Sequence, residues 1–160
     1  MDDLTRVPRL SVILVVLGGM VWLFSGVLYG IQVAAFPTSP SVVLAPGVDG
    51  SSYPAAAIRS LAWDDIYATV YVAAIGLLAI FVALNAFRRG ERWAWYAVGV
   101  FALAGVATAI VDELAWGGWY TFLFLGLLPL LGLVVSVRSF FPGRSRLDMD
   151  ARAQPGVWRP

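Results

Sequence analysis

Four runs without a charged side chain divide the sequence: Leu10–Ile31, Ile66–Phe87, Trp93–Val111 and Leu114–Val137. Each is close to or above the roughly 20 apolar residues that an α-helix needs to cross the ~30 Å hydrocarbon core of a bilayer. The pattern predicts an all-α membrane protein, a four-transmembrane-helix antiparallel bundle in one domain. Its helices are expected over about 10–31, 66–87, 93–113 and 116–138.

Arg6 and Arg9 ahead of the first run and Val33-Ala34-Ala35 behind it have the look of a signal peptide. The apolar region is longer than the usual 7–15 residues of such a segment, so a retained first helix is expected. Between the first two helices lies a long outer loop, residues 32–65, broken by Pro37, Pro40, Pro46 and Pro54 with Gly47 and Gly50. Ser51 or Ser52 ahead of Pro54 is a helix-start signal. It gives Pro54–Trp63 either an amphipathic surface helix or an outward extension of the second helix. Residues 142–160 read as a polar, flexible cytoplasmic tail.

Charge orients the chain. All eleven basic residues are arginine. Arg6 and Arg9 precede helix 1, Arg88, Arg89 and Arg92 fill the turn between helices 2 and 3, and Arg138, Arg144, Arg146, Arg152 and Arg159 follow helix 4. Only Arg59 falls on the other side. The positive-inside rule then places both termini in the cytoplasm of a multi-pass protein in the cell (inner, cytoplasmic) membrane. Aromatic residues near both boundaries agree with interfacial belts: Trp93, Trp95, Tyr96, Phe140 and Phe141 on the inner side, Phe36, Trp63, Tyr67, Trp116, Trp119 and Tyr120 on the outer.

Composition narrows the chemistry. Hydrophobic residues make up 60% of the 160 and charged residues 13%, too much apolar surface for a soluble domain of this size to bury. Cysteine and histidine are absent, which removes disulfides, thiolate and imidazole metal sites, and Ser-His-Asp or Cys-His catalysis. Without lysine there is no Schiff base. The net charge of +1 argues against a nucleic-acid partner. No metal, no cofactor and no catalytic residue is expected; carboxylate, arginine, tyrosine and amide are what remains.

Helices in lipid associate through close backbone approach at small residues. Gly26 and Gly30 form a GxxxG on helix 1, with Gly19 on the same face. Gly105 shares a small-residue stripe of helix 3 with Ala97 and Thr108, and Gly126 and Gly132 flank Pro129 on helix 4. Pro129 removes one backbone hydrogen bond and is expected to kink helix 4 near Leu125. Asn85, a polar residue in an apolar run, is expected to bond to a neighbouring helix.

One constellation is a candidate site. Asp64 and Asp65 start the expected helix 2, where capping and the helix dipole favour them. Asp112 and Glu113 end helix 3 against the dipole. At ~100° per residue Asp64 shares a face with Tyr67 and Tyr71, and Asp112 with Thr108 and Gly105. If the two faces meet, Asp64, Tyr67, Tyr71, Thr108, Asp112 and Glu113 form an outer polar patch for a cation or a lipid headgroup, with Tyr29 and Gln32 nearby and Arg59 as the balancing cation.

The stretch Phe87-Arg88-Arg89-Gly90-Glu91-Arg92-Trp93-Ala94-Trp95-Tyr96 resembles a turn of small bacterial four-helix, loosely DoxX-like membrane proteins. The resemblance spans some ten residues and implies a four-helix fold; it implies no catalytic residue, because such families mostly lack an assigned activity. The expected partners are the lipid bilayer and other membrane-protein subunits. The expected role is a non-catalytic accessory or structural subunit packed against a larger membrane complex. The alternatives are a stand-alone binder or carrier of a lipid-like molecule, and an enzyme acting on an isoprenoid or lipid substrate through the outer carboxylates.

Overall fold

The computed structural model describes residues 7–39, 44, 49–116 and 120–141 of the chain. The expected cytoplasmic tail, and part of the expected outer loop, lie outside them. The described residues are helical almost throughout: α1 (Arg9–Ala35), α2 (Ala55–Val82), α3 (Arg92–Trp116) and α4 (Tyr120–Phe140). Three segments are long and apolar enough to cross a bilayer: Arg9–Ala35, Ala55–Phe87 and Arg92–Val111. The apolar part described for α4, Leu125–Phe140, is shorter.

Helix α2 departs from the expected boundary. It opens at Ala55, not at Ile66, with Pro54 as its N-cap residue. Asp49 nucleates the entry: its carboxylate accepts from the Ser51 backbone N–H and hydroxyl, both at 2.9 Å, and its carbonyl accepts from the Ser52 hydroxyl at 2.8 Å. Of the two alternatives for Pro54–Trp63, the structure takes the extension of helix 2. The irregular connection is therefore shorter than residues 32–65.

At its other end α2 widens into a π-helical turn, Ala83–Phe87, where the Arg88 N–H reaches back to the Ala83 carbonyl at 3.0 Å. The widening turns Ala83, Ala86 and Phe87 to the interior together. Gly90 then closes the helix at φ 76°, a left-handed conformation that strains any residue with a Cβ. Its N–H bonds Phe87 O at 2.9 Å and the Glu91 N–H bonds Ala86 O at 3.1 Å, the Schellman pattern. Glu91 steadies the turn, pairing with Arg89 at 2.9 Å and accepting from the Trp93 indole at 2.7 Å.

The helices are arranged in the order α2–α1–α4–α3, each antiparallel to the next, with α2 and α3 in sparse contact. The three close interfaces are made where backbones touch. A Cβ at Gly26 would lie 2.6 Å from Ala73 N and 2.7 Å from Thr69 O; at Gly19, 2.9 Å from Gly76 O; at Gly30, 2.8 Å from Thr69 Oγ1. On α3 and α4, Gly105 and Gly126 abut each other's chains: a Cβ would lie 2.7 Å from Gly126 N at the first and 2.6 Å from Val106 N at the second. Between α1 and α4, a Cβ at Gly132 would lie 2.9 Å from Ser11 O and one at Gly18 2.7 Å from Pro129 Cδ. Adjacent glycines 18 and 19 thus serve different neighbours, about 100° apart around the helix.

The core has three tiers. Next to the Arg88–Arg92 turn, Val12, Val15, Phe87, Val98, Leu133 and Phe140 pack with small residues, and Phe87 and Phe140 stack with centroids 5.0 Å apart. At mid-length Trp22, Ala79, Phe101 and Leu125 meet. At the far end Val33, Ile58 and Ala62 join α1 to α2.

Trp22 unites the middle tier. Pro129 has no N–H, so the Leu125 carbonyl four residues earlier loses its helical donor. The buried Trp22 indole supplies one from α1, Nε1 donating to Leu125 O at 3.2 Å, while its ring lies 5.5 Å from that of Phe101. Helix α4 is thereby continuous through Pro129. Three other hydroxyls of the apolar stretches turn back on their own helices: Ser11 to Pro8 O, Thr69 to Ile66 O and Ser136 to Leu133 O. Asn85 does the same, donating to Phe81 O at 2.9 Å, which corrects the expectation of an interhelical bond. Its side chain is exposed on the outside of α2, where no other helix offers it an acceptor.

Two measurements of unfolding in detergent test this packing. Gly26→Ala forces a methyl into backbone and is expected to cost about 1–3 kcal/mol. Gly99→Ala, whose methyl meets only Leu133 Cδ1 at 3.9 Å, is expected to be neutral or stabilising by up to ~1 kcal/mol. Trp22→Phe leaves Leu125 O without a donor and is expected to cost about 0.5–2 kcal/mol. In a Pro129→Ala background, where position 129 regains its N–H, the same change is expected to cost about half as much or less, a coupling read by a double-mutant cycle.

Candidate functional site

Among the described side chains, Asp64, Tyr67 and Tyr71 of the expected polar patch are not joined to Thr108. Because α2 begins at Ala55, Asp64 and Asp65 lie well inside the helix and neither caps it nor meets its N-terminal dipole. They also diverge. Asp64 is exposed, and Tyr67 and Tyr71 beside it are 61% and 69% exposed, facing away from the other helices. Asp65 turns toward α1 and accepts a hydrogen bond from the Tyr29 hydroxyl at 3.3 Å. Thr108, half-buried on α3, donates to Ala104 O of its own helix at 3.0 Å. The backbones of Asp112 and Glu113 belong to α3; their side chains lie outside the described residues. Among the described residues no hydrogen bond or ion pair links Asp64, Tyr67 or Tyr71 to Thr108, and no three His, Cys, Asp or Glu side chains converge as a metal site would need.

The same end of the molecule offers a different feature. The helical segment Ala55–Phe87 has 33 residues and spans about 50 Å at ~1.5 Å per residue, well beyond the ~30 Å of a hydrocarbon core. Its first turns pack on the last turns of α1 through Val33, Ile58 and Ala62. Arg59 and Trp63, one helical turn apart and so on one face, line a cleft of about 160 Å³ with Ala34, Pro37, Ala62 and Ile66. Trp63, and Phe36 next in sequence to Pro37, are 56% and 59% exposed.

A guanidinium set among exposed aromatic rings is the side-chain chemistry that dominates protein–protein hot spots. The sequence marks Arg59 as the lone cation of this side and Trp63 as a belt residue; their shared face follows only from an early helix start. That signal lies in Pro54, which fixes the start, and in the Arg59–Trp63 spacing.

No family model, curated protein or solved structure matches this chain. Its functional reading therefore rests on its own residues.

The hydrogen bonds that hold the short 3-10 turn Gly50–Ser52 ahead of α2 also act on Asp49. Donation from the Ser51 N–H, then from its hydroxyl, favours the ionised form and holds the carboxyl below its usual range. A lowered folded value means that the contribution of Asp49 to the turn is present above the unfolded value near pH 3.9 and is lost as pH falls through the folded one. Carboxyl-carbon NMR titration is expected to show Asp49 titrating below the ordinary aspartate range, and Ser51→Ala to move it back up.

Proposed function

We propose that this chain is a non-catalytic integral membrane protein acting as an accessory subunit of a larger membrane complex. It crosses the cell (inner) membrane four times with both termini in the cytoplasm, and the projecting end of α1 and α2 docks on the outward-facing part of its partner. The arginine distribution supports the orientation, since among the described residues Arg9, Arg88, Arg89, Arg92 and Arg138 are at one end of the helices and Arg59 alone is at the other. One observation carries the docking role: α2 continues as an ordered helix past the length a bilayer covers, and presents Trp63 and Arg59 there.

The physical argument is one of unmet burial. Large aromatic side chains outside the hydrocarbon gain from being covered, and each contributes a rigid apolar surface with few rotamers to freeze. Arg59 adds a donor set suited to a carboxylate or a backbone carbonyl on the partner. With no carboxylate pair aligned across a pocket among the described residues, binding is a better account of this end than turnover.

Extraction in a mild detergent, followed by mass measurement, tests the reading. The wild-type chain is expected to travel with a fixed larger partner, and Arg59→Ala with Trp63→Ala to release it while helix content stays unchanged. A chain that runs alone, or only with copies of itself, contradicts it.

A further inference from the structure

We propose that the seam between α2 and α3 is a binding site for one anionic phospholipid, with an acyl chain in the seam and the phosphate held by Arg88 and Arg92. The inference is independent of docking at the far end and needs only that the chain lies in a bilayer.

The seam is the one junction of consecutive described helices where the close backbone packing of the other pairs fails. α2 and α3 are linked by the turn at Gly90 yet stay apart below it. They leave an apolar cleft of about 270 Å³. Its floor is buried Ala79, Val98 and Phe101. Its rims are Leu78 and Val100, 61% and 70% exposed.

Those rims select the occupant. A second helix packs in lipid by bringing its backbone against small residues, and Leu78 and Val100 standing on either side hold a helix off. A flexible acyl chain slides between them onto the alanines. The cleft follows α2 from Ile75 to Val82, about 10 Å at ~1.5 Å per residue, and ends beneath the linking turn. There the charge complements a phosphate. Arg89 is paired with Glu91, whereas Arg88 and Arg92 are exposed and make no salt bridge among the described residues. Trp93, 55% exposed, marks the headgroup level beside them. Guanidinium groups bind phosphate oxygens by paired hydrogen bonds, and basic sites between membrane helices recognise anionic headgroups this way.

The test uses the full chain in non-ionic detergent and native mass spectrometry, with phosphatidylglycerol and phosphatidylcholine of identical acyl chains. One phosphatidylglycerol per chain is expected to be retained in preference to phosphatidylcholine. Arg88→Gln and Arg92→Gln are each expected to weaken it about fivefold, the factor that ~1 kcal/mol per basic residue implies, and to leave phosphatidylcholine unaffected. Filling the slot with Ala97→Leu and Ala104→Leu is expected to abolish retention with both arginines intact. Should that variant misfold, photo-crosslinking of wild type with an acyl-labelled phosphatidylglycerol decides, with adducts expected within residues 75–82 and 97–104. Equal binding of the two lipids, adducts spread over the other helices, or copies of the chain crosslinked to each other through the seam would each overturn the proposal.

Discussion

The fold turns on one hydrogen bond made in a place without water. A proline in the middle of α4 frees the Leu125 carbonyl, and an unpaired carbonyl in a dry interior costs more than most single contacts contribute. Trp22 meets that need from another helix. To do so its indole crosses the interior at mid-length, which fixes the height of α1 against α4 and sets the ring against Phe101 of α3. Its Cβ also lies close over Gly76 of α2. One side chain thereby touches all four helices, and a register shift of any of them would break the arrangement.

Glycine makes that arrangement geometrically possible. For Trp22 to reach Leu125, α1 and α4 must be close, and Gly18 and Gly132 let Pro129 and the Ser11 carbonyl approach. Gly19 and Gly26 do the same toward α2. Helix α1 is thus committed on two sides, α4 is committed to α1 and α3, and α2 and α3 are each left with one unfilled side. The open seam follows from the order α2–α1–α4–α3: closeness at three interfaces holds the outer pair apart below their turn. The segment Ala55–Phe87 is longer than a bilayer core requires, and its first turns still pack on α1.

Much of the helical architecture was legible in the sequence because the signal is coarse: long charge-free runs bounded by arginines, prolines and glycines. The consequence of Pro129 for Leu125 also follows from covalent structure alone. The sequence hid the identity of the donor, since nothing in the neighbourhood of Trp22 says that its indole faces a carbonyl 103 positions away. The start of α2 was offered as one of two alternatives for Pro54–Trp63 and left undecided. Asp64 and Asp65 imitate a helix cap, and that local signal outweighed Pro54, which is the real boundary. The faces assigned to Asp64, Tyr67 and Tyr71 hold as a helical stripe wherever α2 starts, and the polar patch further required α3 beside them, a helix that α2 meets only sparsely. Pairing order depends on interhelical fit, and one sequence carries that only in the placement of its glycines.

Of the seven tryptophans, the account requires Trp22 to have a distinct indole proton, and hydrogen exchange of the 15N-labelled indoles followed by NMR reads it directly. The Trp22 signal is expected to be strongly protected in the native chain and to exchange markedly faster once Pro129→Ala lets Leu125 O bond within its own helix. A Trp22 indole that exchanges as readily as that of exposed Trp63, or whose protection is indifferent to Pro129→Ala, would contradict the central claim.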